Sequence, residues 1–104
     1  MDERAYRSVA EAVRLLAVAA RGEARELDAR RSALARNALV WWQGGAAERY
    51  QGLVRARVGA FAELAGYLDA LARQADDLGR ALEAAADLQS VVSSIRAAHP
   101  TPFR

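Results

Sequence analysis

The sequence holds few side chains that could do chemistry. Its 104 residues include one histidine, His99, and no cysteine, and all 15 basic residues are arginine. Without cysteine there is no thiolate nucleophile and no Cys-based metal site, and without lysine there is no phosphate-binding loop of the Gly-Lys type. A lone histidine beside Pro100 is more often a bystander than a general base or a metal ligand.

Carboxylate pairs are the remaining candidates for a metal site. Asp76-Asp77 and the pair Glu23 and Glu26 bring acids close together in the sequence. Metal sites inside helical bundles use inward-facing Glu-x-x-His repeats, and the sequence contains none. These acids are typical of a solvated helix face. We therefore expect no enzymatic activity, no metal, no cofactor and no small-molecule substrate.

The elements that carry these side chains are expected to be two long helices. In the first half, apolar residues recur every seven positions and a second row follows four positions later, which predicts an amphipathic helix over about residues 3–41. The first row is Tyr6, Val13, Ala20, Leu27, Leu34 and Trp41, and the second is Ala10, Ala17, Ala24, Arg31 and Ala38. Val9 and Leu16 are expected to widen this stripe at its start.

In the second half, apolar residues alternate spacings of four and three, which predicts a packed helix over about residues 46–95. The row is Tyr50, Val54, Arg57, Phe61, Leu64, Leu68, Leu71, Ala75, Leu78, Leu82, Ala85, Gln89 and Val92. Four glycines lie off this row: Gly52, Gly59, Gly66 and Gly79. The first three are seven apart, which either admits a close neighbour or only weakens the helix. Pro100 and Pro102 end helical structure, so residues 99–104 are expected to form a flexible tail.

The break between the helices is expected at Trp41-Trp42-Gln43-Gly44-Gly45. Each glycine costs a helix roughly 1 kcal/mol relative to alanine, so Gly44 and Gly45 predict a turn over residues 42–45. At least one of Trp41 and Trp42 should cap the core there, and partner recognition is a further role for the pair. The expected fold is all-α, with one domain over residues 1–98 that forms an antiparallel two-helix hairpin.

A turn near Gly44 sets the expected register between the two helices. Residue i then lies opposite roughly residue 87 − i, which puts Arg14 near residues 74–77 and Arg4 near Glu83. The charge distribution agrees, since residues 1–57 hold 11 arginines against seven acids and residues 58–104 hold four arginines against six acids. The tip of the hairpin is expected to be its basic end.

A lone hairpin leaves apolar side chains outside the seam in contact with water, and such a surface usually marks an interface. We expect two hairpins to pair into a four-helix bundle. From about residue 86 onward, helix two is expected to have no partner on helix one, yet apolar residues continue. The residues expected at the interface are Tyr50, Leu53, Leu88, Val91, Val92 and Ile95.

A known family shares the motif at the expected turn. Trp42-Gln43-Gly44 matches the W-x-G signature of a small helical hairpin, with Ala46 four residues and Tyr50 eight residues after the tryptophan. The continuation Tyr50-Gln51-Gly52-Leu53, the length and the mid-chain position agree with it. Over nearly its whole length the chain resembles the WXG family of early-secreted-antigen-like (ESAT-type) proteins. The resemblance implies pairing with itself, as a homodimer, or with a second small protein of the family, as a heterodimer.

The resemblance also implies export by a type VII (ESX) secretion system and contact with its ATPase. Such a protein folds first in the cytoplasm and is secreted without a signal peptide, mainly in actinobacteria and firmicutes. The family's export signal, Y-x-x-x-[DE], is missing, because each candidate tyrosine is followed four positions later by an apolar residue, Ala10, Val54 or Leu71. Either a partner carries the signal or the protein stays in the cytoplasm.

A second class of function is a cytoplasmic helical-bundle adaptor or regulatory protein that contacts nucleic acid through the Arg-rich tip. Glu26, Asp28 and Glu48 dilute the charge of that tip, and no recognition motif is present, so association with protein is favoured over nucleic acid. No run approaches the ~18 apolar residues of a membrane helix, and we expect no integral membrane segment. The mixed charge of the first residues disfavours a signal peptide.

Overall fold

The computed structural model describes the backbone of residues 1–41 and 45–98, and the side-chain surroundings of residues 1–37 and 48–98. It contains two long helices, α1 over Glu3–Trp41 and α2 over Gly45–Ala98, and no strand within those ranges. The predicted all-α, two-helix hairpin is confirmed. Dimerisation into a four-helix bundle stays a prediction.

The ends of the helices follow from local chemistry. Asp2 caps α1: its Oδ1 accepts a hydrogen bond from the Ala5 amide at 2.8 Å, and its carbonyl oxygen accepts one from the Tyr6 amide at 3.0 Å. The first bond satisfies an amide that the start of a helix leaves unpaired, and the second is the first backbone bond of the helix itself. At the other end, α2 continues to Ala98, beyond the expected end near residue 95. It stops just before the residue that precedes Pro100, a position that disfavours helical backbone.

The expected turn over residues 42–45 falls largely outside the described residues. Trp42 and Gly44 are not among them, and neither is the tail over residues 99–104. Trp41 is the last residue of α1, and Gly45 is the first residue of α2 rather than part of a turn. Helix ends commonly vary by a residue or two, which accounts for this difference. The side-chain surroundings of Trp41 and Gly45 also lie outside the described part.

The chain divides into two compact units, each made of a piece of α1 and a piece of α2. Unit 1 combines Met1–Ala17 with α2 from Arg73 onward, and unit 2 is Val18–Ala72. In unit 1 the helices run antiparallel, since Arg7 pairs with Asp87 and Arg14 pairs with Glu83.

The seam between the helices is built of small residues in both units. The buried members in unit 1 are Ala10, Ala17, Ala75, Gly79 and Ala86, and those in unit 2 are Ala20, Ala24, Val54, Ala65 and Ala72. Small side chains let two helix axes approach to the lower end of the usual ~8–10 Å separation. The two rows of the α1 stripe are confirmed through residue 34, because their other described members, such as Tyr6, Val13 and Leu27, are half-buried. The expected widening of the stripe at Val9 and Leu16 is wrong, because both residues are exposed.

The predicted seam of α2 is wrong at alternate positions. Leu64, Leu71 and Leu78 were expected on the seam but are exposed. The residue that follows each of them is buried instead, namely Ala65, Ala72 and Gly79. Both rows satisfy the alternation of three and four, so the pattern alone does not choose between them. Packing favours the row of small residues because the two helices then approach more closely, and the leucines lie beside the seam.

Glycines in α2 occupy two kinds of surroundings. Gly79 was expected off the seam, yet a Cβ at this residue would lie 3.7 Å from Arg14 Cγ and 3.8 Å from the carbonyl oxygen of Ala10. At Gly52, Gly59 and Gly66 a Cβ would meet nothing within 4 Å. The described part of the chain therefore supplies no close neighbour for that row of three glycines.

The register in unit 1 differs from the expected one. Arg14 meets Glu83 rather than residues 74–77, and Arg4 lies beside Gln89 and Ser93 in a cleft rather than near Glu83. Helical side chains lean toward the N-terminus of their own helix. In an antiparallel pair the two side chains therefore lean in opposite directions, and long side chains meet when each Cα atom lies beyond the other toward the C-terminus of its own helix. As a consequence, residues of α1 lie beside Asp87, Gln89 and Ser93 of α2. The prediction that helix two has no partner on helix one from about residue 86 onward is therefore wrong as far as Ser93.

Candidate protein interface

Ion pairs lie along one side of the seam in unit 1. Arg7 Nη2 lies 2.9 Å from Asp87 Oδ1 and 3.1 Å from Glu3 Oε1, and Arg14 pairs with Glu83. The hydrogen bond to Asp87, and then the one to Glu3, raises the pKa of the Arg7 guanidinium. Exposed ion pairs of this kind contribute only about 0–1 kcal/mol each to stability. We call Arg7, Arg14, Glu83 and Asp87 the charged flank.

The opposite side of the same seam is apolar on α1. Arg7 and Arg14 each come one position after a seam residue, whereas Val9 and Leu16 each come one position before one. Because successive helical residues are turned by about 100°, the two pairs lie on opposite sides of the seam. Val9 and Leu16 are both exposed.

The same argument places Leu78 on the apolar side of α2. Glu83 follows a seam residue and shares its side with Arg14, whereas Leu78 precedes the buried Gly79. From Leu78, apolar residues continue at spacings of three and four through Ala81, Ala85, Leu88, Val92 and Ile95. We call the exposed large residues on this side of unit 1 the apolar flank: Val9, Leu16, Leu78, Leu88 and Ile95.

Four of the predicted interface residues lie near the C-terminal end of α2. Leu88 is 65% exposed, Val91 and Ile95 are also exposed, and Val92 is half-buried. Leu88, Val92 and Ile95 belong to the apolar row, whereas Val91 lies farther round the helix, away from α1. Their contact with a second chain stays a prediction.

Unit 2 exposes an apolar row of its own on α2. Tyr50 and Leu53, the other two predicted interface residues, are both exposed. The alternation of three and four that begins with them continues through Arg57, Ala60, Leu64, Tyr67 and Leu71. The sequence prediction missed this second row because it assigned two of its leucines to the buried seam. The sequence does contain a sign of this second row, because α2 has two neighbouring rows of apolar residues with the same heptad spacing. A single partner helix, α1, covers only one of them.

Tyr67 adds a polar contact to the exposed row of unit 2. Its hydroxyl donates a hydrogen bond to Glu63 Oε1 at 3.0 Å. This bond, and the negative charge of Glu63, raises the pKa of Tyr67, because the phenolate would lose the bond and face a carboxylate. Tyr67 thus presents a neutral ring with a polar tip, a combination that is enriched at interfaces.

The described ranges lack metal sites, unpaired buried polar groups and membrane-spanning stretches. They contain no group of three or more His, Cys, Asp or Glu residues placed to hold a metal ion. Every buried polar side-chain atom within them has a hydrogen-bond partner. Neither helix, over its described residues, has a stretch apolar enough to cross a membrane. The candidate site is the exposed apolar surface formed by the apolar flank of unit 1 and the exposed row of unit 2.

Comparison of the chain with protein families, with curated proteins and with solved structures found no match. The resemblance to the WXG family therefore rests on the sequence alone, on Trp42-Gln43-Gly44 and the residues around it. That motif lies outside the described residues.

Proposed function

We propose that this chain is a small helical module that acts by binding another protein, without catalysis. The observation that supports this proposal is the contrast across one seam in unit 1, with ion pairs on one side and exposed Leu, Val and Ile on the other. Exposed apolar groups that cluster on a small protein are typical of an interface. The alternation of three and four along the exposed row fits another helix as the occupant.

We further propose that the partner is a second copy or a second small protein of the WXG family, and that the pair is a type VII secretion substrate handled by the system's ATPase. The W-x-G motif with its context supports this part. The pair folds in the cytoplasm and leaves without a signal peptide. Since this chain lacks the Y-x-x-x-[DE] signal, its partner supplies it, and without such a partner the protein remains cytoplasmic.

Pairing is tested by light scattering after size-exclusion chromatography. The expected mass is near twice 11.2 kDa, for the chain alone or for a complex with a co-expressed small helical partner. A well-folded monomer at micromolar concentration, both alone and in the presence of a partner encoded beside it, contradicts the proposal.

Export is tested separately, in cells with an active type VII ATPase and in matched cells in which that ATPase is inactivated. The protein, expressed with its partner, should accumulate in the medium of the first culture and stay inside the cells of the second. Equal amounts in the two media argue against the secretion route, while the proposal of pairing is judged by its own measurement.

A second candidate function is regulation in the cytoplasm through nucleic acid. Arg36, Arg49, Arg55 and Arg57 are exposed, and none of the described residues forms an ion pair with them. Glu48 is the acid that accompanies them in sequence. Filter binding of duplex DNA at increasing salt tests this function, because phosphate contacts weaken steeply with salt. A lack of retention at low salt excludes it.

A further inference from the structure

A cleft in unit 2 combines an apolar floor with two arginines. Its volume is ≈ 530 Å³. Small-molecule sites typically occupy roughly 300–1,000 Å³ and often lie between the helices of bundles. The residues that line it are Arg30 and Leu34 from α1 and Tyr50, Leu53, Val54, Arg57 and Phe61 from α2.

The floor of the cleft suits a hydrocarbon chain. Val54 is buried, and Leu34 and Phe61 are half-buried, so apolar surface is drawn from both helices. The floor therefore offers continuous apolar surface along which a hydrocarbon chain can lie.

The charge at the cleft is positive. No carboxylate is among the described residues that line it. Arg30 Nη2 already donates a hydrogen bond to Glu26 at 2.8 Å, whereas no described residue forms an ion pair with Arg57. A guanidinium beside apolar surface is well suited to a carboxylate, which it can bind through two parallel hydrogen bonds.

We propose that this cleft binds a free medium-chain fatty acid. The hydrocarbon tail lies on Leu34, Val54 and Phe61, and the carboxylate pairs with Arg57. The protein binds this ligand and does not transform it. The inference does not require the proposed pairing or export, because the cleft is formed within one chain, but Tyr50 and Leu53 belong both to its lining and to the predicted interface.

The experiment is isothermal titration calorimetry of the full chain with dodecanoate, below the concentration at which dodecanoate forms micelles. We expect saturable binding of one dodecanoate per chain. Octanoate should bind at least tenfold more weakly, since each buried methylene adds about 0.8 kcal/mol, or roughly fourfold in affinity. Dodecyltrimethylammonium, which has the same tail and the opposite charge, should also bind at least tenfold more weakly.

Matched variants locate the site. Arg57→Gln should weaken dodecanoate binding about tenfold, because it removes a charge-assisted hydrogen bond. Arg55→Gln removes another exposed charge, two positions away, that is not among the residues lining the cleft, and it should change the affinity less than twofold. Circular dichroism confirms that both variants keep their helices, which is expected because both arginines are exposed.

Four results would overturn the proposal: equal binding by the Arg57→Gln variant and the wild type, several dodecanoates per chain, equal binding of the cationic amphiphile, or no binding at all. In the last case, a change of molecular mass in the Arg57→Gln variant would identify the cleft as a contact between proteins. Failure of pairing in light scattering would leave these binding results unaffected.

Discussion

Gly79 packs directly against the backbone of Ala10. A Cβ built on Gly79 would lie 3.8 Å from the carbonyl oxygen of Ala10 and 3.7 Å from Arg14 Cγ, distances of ordinary van der Waals contact. The site therefore has room for one methyl group and for little more. This contact marks where α1 and α2 approach each other in unit 1.

Substitutions at Gly79 should change stability in opposite directions according to size. Gly79→Ala should raise the free energy of unfolding by about 0.5–1 kcal/mol, because alanine restricts the unfolded chain and fits the helix. Gly79→Leu should lower it by about 1–3 kcal/mol, because the larger side chain forces the helices apart. Urea denaturation followed by circular dichroism measures both.

Gly66 is the matched control, since nothing lies within 4 Å of a Cβ placed there. Both Gly66→Ala and Gly66→Leu should be neutral or stabilising. If leucine is tolerated equally at the two glycines, the seam does not run past Gly79.

The apolar flank should carry self-association or partner binding. The double variant Leu16→Gln with Leu88→Gln should weaken association at least tenfold, because it removes apolar area from the contact while leaving the seam intact. Sedimentation equilibrium measures the association, and far-ultraviolet circular dichroism checks that the helices remain.

Leu15→Gln controls for the general effect of removing an exposed leucine. Leu15 is 64% exposed and lies on the side of α1 away from the seam. It should leave association unchanged. A loss as large as that of the double variant would show that the interface lies elsewhere on the surface.

The charged flank should respond to charge reversal. Arg14→Glu places a second carboxylate beside Glu83 and should lower the free energy of unfolding by roughly 0.2–1 kcal/mol. Adding Glu83→Arg restores opposite charges and should recover most of this loss at low salt. Thermal melts of the single and double variants at two salt concentrations provide the measurement. Additive losses in the double variant would mean that the two side chains do not interact.

The hydrogen bond between Tyr67 and Glu63 should make stability fall in alkali. Because the bond raises the pKa of the folded tyrosine above its ordinary 10.0, its contribution is present below pH 10.0 and is lost as pH rises through the raised pKa. Glu63→Gln should move the Tyr67 titration to lower pH, as followed by tyrosinate absorbance. Asp69→Asn removes a nearby acid that is not the acceptor in this bond, and it should shift the titration less.

The two helices differ in how well the sequence predicts their packing. In α1, the row that contains Val13 and Leu27 stays apolar along the helix, whereas the neighbouring row of Val9 and Leu16 continues as Glu23, so period and hydrophobicity together select the buried face. In α2, Leu64 and Ala65 belong to neighbouring rows with the same period. The choice between those rows depends on how closely two backbones can approach, which is a property of the pair of helices rather than of either sequence.

The sequence predicts only part of the candidate interface, because α2 contains two neighbouring rows with the same period. Leu53 and Leu88 lie outside the predicted seam, and their exposure follows directly from that position. Leu78 was assigned to the seam, so its exposure followed only once Gly79 was found buried. The pairing of Arg14 with Glu83 depends on how long side chains lean along their helices, and counting residues from a turn omits this effect.

An interior made of alanine has a thermodynamic consequence. Among the described residues, the buried apolar side chains are alanines and Val54. Burying a methyl group contributes about 0.8 kcal/mol, against about 1.5–3 kcal/mol for a whole leucine or isoleucine side chain. A single chain therefore gains little from its interior to offset the entropy of ordering two long helices. If association supplies the remainder, the melting temperature must rise with protein concentration. The unpartnered chain would then be the form most open to proteolysis, and its abundance in a cell would follow that of its partner.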